Sequence, residues 1–477
     1  MKILIAYPPG LMYQRGEDRS QGNVDDSVAT AMRAPNDLGY ISSILKSKYE
    51  TLLVDYQSEK KSIDCLFDDV KSFNPDIVFF SITNSTIFDD LKICEKLKKI
   101  KNNLKIILKG ALFFNPDQEI FDKLNLKEID FLIGGEVEFS IGPLVDKIAS
   151  KDNDFSKVPG ILYKNQFGWT PSFFNKWDSD LDSLPFPDRY SMKNDLYQRP
   201  DTGEAMATIS TTRGCGAKCT YCLTPIISGK RIRERSPKNI FEELSECVNE
   251  HNITNFFFKS DTFTMNRHWV EELCNYIVKS NLHGKIKWVA NSRVNPLVQE
   301  TLYQMKEAGC WLVAFGFESG SPETLLNVRK GATVEQNLSA REMTKKANLQ
   351  CYGFFLVGLP WENHHHLKET EKHIYDLDCE FMELHIAVPY FGTTLYSLFK
   401  NEGLMDESPL GKDYFNKPTK GTNFVSSDEL EIYRKKILRN YHLRPKYIAR
   451  KIINSKVNPN TLLNYVKYGK RLLVNTF

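Results

Sequence analysis

The chain has 477 residues, of which 41% are hydrophobic, 63 are Lys or Arg and 60 are Asp or Glu. That balance excludes disorder and collagen-like order and accommodates two or three globular domains. The longest apolar runs, such as YGFFLVGL over 352–359, fall short of the ~18 residues that a membrane-spanning helix needs. The start, MKILIAYPPG, reads as a short strand and not as a secretory signal, so a reducing cytoplasm is expected, where the ten cysteines bind metal more readily than they pair.

Residues 1–150 alternate short β-rich runs (KILIAYP, TLLVDY, DIVFFSI, KIILKG, DFLIGG) with helical patterns, which predicts βαβ units and a Rossmann-like parallel sheet. Ligands of such a sheet sit beyond the carboxyl ends of its strands. Those ends carry small or polar residues, among them Ser81, Thr83, Gly110, Gly134, Gly135 and Glu136. No G-x-G-x-x-G follows the first strand, which argues against a dinucleotide.

Residues 151–200 lose this rhythm and read as a hairpin, VPGILYKNQFGWTP, followed by an extended connector, DSLPFPDRY, where the domain boundary is expected. Over 201–400 six strand patterns alternate with helices: ATIST, NFFFKSD, KIKWVANSR, WLVAFGFE, CYGFFLVG and FMELHIAV. An α/β fold with an open, partial (β/α)6 barrel is therefore predicted, its chemistry at the carboxyl ends of the strands. Residues 401–477 read as a Gly/Pro-punctuated segment leading into basic helices. Residues 425–477 hold twelve Lys or Arg against three Asp or Glu, which fits either a solvated face or contact with an anionic partner or lipid surface.

The most informative stretch is Arg213-Gly214-Cys215-Gly216-Ala217-Lys218-Cys219-Thr220-Tyr221-Cys222, directly after the first barrel strand. Three thiolates at C-x3-C-x2-C spacing suit three irons of a 4Fe-4S cluster and leave the fourth iron open. Gly214 and Gly216 permit a tight loop, and Arg213 and Lys218 are placed to offset the cluster's negative charge. The competing reading is a zinc knuckle, but closed zinc sites take four ligands and the next Cys or His is Cys247, in a predicted helix. The run His364-His365-His366 reads as a polar cluster at a helix N-terminus, since successive helical residues point apart. Trp361 and Glu362, just before it, are candidates to touch substrate.

C-x3-C-x-Tyr-C at the head of a partial barrel resembles the radical S-adenosylmethionine (SAM) superfamily. The strand ends at Lys259-Ser260-Asp261, Asn291-Ser292-Arg293, Gly316-Phe317-Glu318-Ser319 and Gly358-Leu359-Pro360 extend the likeness. With the N-terminal sheet and the LPFPDRY connector, the whole resembles the cobalamin-binding radical SAM subfamily. The resemblance implies Cys215, Cys219 and Cys222 as cluster ligands. It further implies Tyr221 packed over the cluster, and Asp261, Arg293, Glu318 and Ser319 within reach of the SAM ribose or carboxylate. An external one-electron reductant of the flavodoxin or ferredoxin type is implied with them.

For residues 1–150 the resemblance implies cobalamin, with Ser81, Thr83, Gly110, Gly134, Gly135 and Glu136 as candidate contacts. All nine histidines lie at or after His251, so this domain offers cobalt no histidine. The family's glycine pair in the fourth-strand loop reads Lys109-Gly110-Ala111 here, and a scaffold that binds nothing is the alternative. The resemblance implies methylation of an unactivated carbon through a 5′-deoxyadenosyl radical and methylcobalamin, on a small-molecule or lipid substrate. A cyclase, rearrangement or oxidative enzyme with the same cofactors is the alternative. A tRNA methylthiotransferase lacks support, because only Cys65 and Cys94 precede the barrel, and a non-catalytic cobalamin sensor would not need an open iron. Nucleic acid is not an expected partner; peripheral membrane contact through the basic tail stands as one reading beside a solvated face.

Overall fold

The computed structural model describes the chain apart from residues 16–31, 115–117, 173–176, 178–179, 406–409, 413–418, 456–458 and 477. The N-terminal strands are β1 (Lys2–Tyr7), β2 (Glu50–Asp55), β3 (Ile77–Ser81), β4 (Lys105–Lys109) and β5 (Phe131–Ile133), followed by β6 (Ile161–Asn165) and β7 (Gly168–Pro171). They form one sheet in the order β2-β1-β3-β4-β5-β6-β7. The pairs among β1–β5 are parallel, and β5-β6 and β6-β7 are antiparallel. β1 and β3 are buried over nearly their whole length, as continuous apolar runs in a sheet covered on both faces must be. The strand order reverses beside β1, which makes the crevice between the ends of β1 and β3 the switch point of the sheet. The hairpin β6-β7, which the sequence places in the connector, continues this sheet at its β5 edge.

The second sheet is built from β8 (Met206–Ser210), then β11 (Asn255–Lys259), β12 (Lys287–Ser292), β13 (Cys310–Glu318), β14 (Gln350–Val357) and β15 (Phe381–Ile386); a short ribbon, β9 (Thr212–Arg213) with β10 (Arg233–Glu234), stands off the head of β8. All five pairings in the order β15-β14-β13-β12-β11-β8 are parallel. This is the partial six-stranded barrel that the alternating pattern predicts, open between β8 and β15. Ile240, Leu244 and Cys247 on the helix Pro237–His251 pack into its core, at the i, i+4, i+7 spacing of a buried stripe.

The LPFPDRY connector pins the two domains together. Asp188 accepts hydrogen bonds from Ser42 of the first domain, while Arg189 pairs with Glu243 of the barrel at 2.5 Å. Asn36 donates to the Thr208 carbonyl across the same junction.

The C-terminal helices close the open side of the barrel. Ser427–His442 packs on β15, where Arg434 donates to the Leu384 carbonyl and Tyr441 to that of Cys379. Pro459–Thr476 reaches the opposite edge, where Tyr468 donates to the Pro200 carbonyl and Asn464 to that of Asp201. Several of the tail's cations are paired within the chain: the largely buried Arg444 and Arg450 and the exposed Lys446 converge on Asp378. That is a third role beside the solvated face and the anionic partner. Among the described residues no helix is long and apolar enough to cross a membrane.

Candidate active site between the two domains

A cavity of about 870 Å³ runs from the strand ends of the first domain, past the cysteine loop, and down the barrel to the C-terminal helices. Cys215, Cys219, Tyr221 and Cys222 line it, with Asp261, Arg293, Glu318 and Lys330 from the barrel and Lys109, Gly135 and Glu136 from the first domain.

The cysteine loop is held at several points. Its backbone is tied by Cys215 N to the Gly229 carbonyl and by Thr220 N to that of Val328. Gly214 has φ +87°, and a Cβ there would stand 2.2 Å from the Arg231 carbonyl oxygen, so only glycine fits this turn. Gly216 carries no such constraint and is exposed. Asp261 clamps the loop from β11's end, accepting from Gly214 N at 2.9 Å and from the Thr224 hydroxyl at 3.1 Å. All ten cysteines are free. Among the described residues no three His, Cys, Asp or Glu are gathered for a single metal ion. A donor set of three thiols spread along one loop fits a polynuclear cluster, in which each sulfur meets a different iron.

The positive charge beside these thiols comes from Arg293, whose Nη1 lies 3.8 Å from Cys219 Sγ. Arg213 is used otherwise: it pairs with Glu138 at 2.6 Å, and Arg233 pairs with Glu136 at 2.5 Å. These two buried pairs clamp the last βα loop of the first sheet onto the barrel. Burial would raise the Glu138 carboxyl, but the Arg213 charge and hydrogen bonds outweigh it and hold the group below its ordinary range. Lys218 is exposed. Glu318, at φ +64°, ends β13 in the left-handed region, a strained conformation for a side-chain-bearing residue that concentrates at functional sites. Its Oε1 holds Lys330 Nζ at 2.6 Å, and Lys330 reaches the Tyr221 hydroxyl at 3.3 Å. Lys330 was not singled out by sequence reasoning, because a lone Lys after a short helix looks like any surface cation.

Several expected contacts lie away from the cavity. Ser319 is fully buried, with its hydroxyl bonded to Thr370 at 2.8 Å and to Ser321 N, so it supports a turn. Glu362 accepts from Gly358 N and Leu359 N, and Trp361 packs with the cluster around Leu359; neither lines the cavity. Asn363 caps the helix beginning at His364, and His366 completes the capping box, the polar N-terminal cluster read from the sequence. In the first domain Ser81, Thr83, Gly110 and Gly134 do not line the cavity. Thr83 caps a short 3-10 turn. A Cβ on Gly134 would stand 2.1 Å from Phe114 N, and one on Gly110 3.2 Å from Ile82, so these glycines serve close packing. Gly135 and Glu136 face the cavity, Glu136 already ion-paired.

The model of the Radical SAM superfamily matches residues 209–374. That segment is a radical SAM domain. It contains the three cysteines and β11 to β14 of the barrel. Over 456 residues the chain is 28% identical to a protein of Pyrococcus horikoshii named as an uncharacterized methyltransferase, covering 95% of each. It is 25% identical over 362 residues to the anaerobic magnesium-protoporphyrin IX monomethyl ester cyclase of Cereibacter sphaeroides, covering 73% of this chain and 56% of that one. Two solved structures share the fold. The radical SAM methyltransferase TsrM of Kitasatospora setae, with cobalamin and a [4Fe-4S] cluster bound, superposes with TM-score 0.66 at 16% identity, covering 86% of this chain and 76% of that one. The cobalamin-dependent radical SAM enzyme OxsB, with aqua-cobalamin and SAM bound, gives 0.64 at 17% identity, covering 84% of this chain and 55% of that one. The radical SAM domain here thus sits in the two-domain fold of cobalamin-dependent members.

Proposed function

We propose that the protein is a cobalamin-dependent radical SAM methyltransferase acting on an unactivated carbon. The observation that carries the reading is that Cys215, Cys219 and Cys222 open onto the same cavity as the strand ends of the N-terminal sheet, so cluster, SAM, cobalamin and substrate have one enclosed meeting place. The near full-length likeness to a protein named as a methyltransferase supports methyl transfer.

In this reading the three thiols would hold a 4Fe-4S cluster that binds SAM, and Asn36, Lys109 and Gly135, which line the cavity on the side of the first sheet, would contact cobalamin. The cofactors supply radical generation and the methyl carrier; the protein supplies binding, orientation and exclusion of water. Asp261 fixes the loop, Arg293 offsets thiolate charge, and the Lys330–Glu318 pair presents polar groups where the SAM carboxylate and ribose are expected. Leu312, Ala314, Phe354 and Leu356 make an apolar wall that keeps water from a reactive carbon centre. No histidine precedes His251, so the first domain gives cobalt no imidazole. An external reductant feeds the cluster, and a reducing cytoplasm suits the free thiols.

A cyclase or rearrangement reading is kept by the likeness to the monomethyl ester cyclase. Oxygen-free reconstitution with iron, sulfide and cobalamin, followed by reductant-dependent SAM turnover on extracts, separates the two by product mass. Addition of one methyl group supports methyl transfer; a product without added carbon overturns it.

A further inference from the structure

The far arm of the cavity ends between the last two helices, Pro445–Ser455 and Pro459–Thr476. Ile448, Ile452, Leu462 and Val466 line this end and are themselves 42–63% exposed, so the arm has an apolar mouth at the surface. Single exposed apolar residues need no explanation, but four around one opening do.

Just inside the mouth stands Lys451, 7% exposed. Its ammonium lies 3.2 Å from the Phe381 ring centroid and 5.1 to 5.2 Å from those of Tyr465 and Tyr447. Among the described residues no carboxylate lies within ion-pair distance of it; Asp201 and Glu380 act from farther away, against Arg450. A buried ammonium held only by aromatic faces is left with unused donors. Burial accordingly pulls its pKa down to about 7. The two helices that flank the mouth are basic in composition, since twelve Lys or Arg and no Asp or Glu follow Glu431 in the sequence.

From Trp311 at the arm to Glu318 beside the cysteine loop, β13 advances seven residues, roughly 20 Å. Between these ends the wall is mainly apolar and aromatic. We propose that this arm takes an anionic amphiphile, its carboxylate or phosphate head on the Lys451 ammonium and its apolar chain directed down the barrel toward the cysteine loop. The inference deepens the enzymatic reading by naming a substrate class, and it rests on that reading for the chain's destination. An apolar mouth between two helices of basic composition suits an amphiphile arriving from an anionic lipid surface.

The test is binding, with no SAM, reductant or cobalamin present. Palmitate, hexadecyl phosphate, hexadecanol and hexadecyltrimethylammonium are titrated below their aggregation concentrations into the full-length chain and two variants. K451M keeps an unbranched apolar stem without the charge. Gly469→Leu fills the arm, because a Cβ on Gly469 meets nothing within 4 Å; thermal melts verify that both variants fold. The two anions are expected to bind about tenfold or more tighter than hexadecanol and the cation. K451M should abolish that preference while changing hexadecanol affinity by less than about twofold, and Gly469→Leu should weaken all four. Equal affinity for anions and cation, or a preference that survives K451M, overturns the proposal. The relative affinities of palmitate and hexadecyl phosphate report which head the site prefers. SAM cleavage is measured separately: its loss with intact probe binding contradicts the enzymatic reading, and its presence without anion preference contradicts the amphiphile alone.

Discussion

Arg293 places one guanidinium nitrogen 3.8 Å from the sulfur of Cys219 and gives the other to the Lys330 carbonyl. The second bond fixes the first, so the charge is aimed at the sulfur by the backbone of a neighbouring loop. A fixed cation beside a thiolate-bound cluster favours the more negative, reduced state. Arg293→Met is therefore expected to lower the cluster's midpoint potential by about 60 mV or more, some 1.4 kcal/mol for one electron. Redox titration followed by electron paramagnetic resonance checks this; an unchanged potential contradicts it.

Asp261 binds the loop through both oxygens, to Gly214 N and to the Thr224 hydroxyl. Asp261→Ala leaves Gly214 N without this acceptor and frees the turn that presents Cys215. We expect at least half of the reconstituted iron to be lost, with Asp261→Asn intermediate because one carbonyl oxygen remains. Iron per chain after gel filtration is the readout, and full retention in the alanine variant contradicts the assignment.

The clamp between the domains titrates in a known direction. The Glu138 carboxyl is held low by Arg213, so its contribution is present above the ordinary carboxylate range and is lost as pH falls through the lowered folded value. Glu138→Ala should destabilise the chain at neutral pH by less than the about 3–5 kcal/mol of leaving a buried charge unpaired, because Arg213 keeps Glu136 at 3.6 Å, and by progressively less in acid. Denaturant melts at neutral and acidic pH test this; a pH-independent difference contradicts it.

Glu362 behaves in the opposite sense. Full burial pushes its carboxyl up to about 7, outweighing the hydrogen bonds from Leu359 N, Gly358 N and Thr324. The folded chain holds this proton more tightly than the unfolded chain, so the group's contribution is full below about 4.5 and fades as pH rises through about 7. Glu362→Gln should remove up to about 3 kcal/mol of pH dependence across that window. Melts from pH 5 to pH 8 in which the variant loses stability as steeply as the parent contradict this.

The parts of this molecule legible in the sequence were those written in continuous local patterns. The runs IVFFS and NFFFK form interior strands because their consecutive apolar residues need burial on both faces, and the cysteine spacing fits on one loop. What stayed hidden depends on pairs far apart in the chain. Arg213 looks like a counter-charge until Glu138, 75 residues earlier, is seen to take it. Ser319 looks like a ligand until Thr370 occupies its hydroxyl. The basic tail carried a correct charge count but no sign that Arg444 and Arg450 turn inward onto Asp378, with Lys446 reaching it from the surface, while Lys451 enters the cavity.

The central claim is a three-thiol 4Fe-4S cluster with one iron left for SAM, and metal analysis with electron paramagnetic resonance on reduced, oxygen-free protein tests it most directly. The account predicts about four irons per chain, a reduced-cluster signal that changes when SAM is added, and loss of both when Cys215, Cys219 and Cys222 are replaced by Ala. Stoichiometric zinc in place of iron, or a cluster signal that neither SAM nor the triple substitution alters, would contradict it.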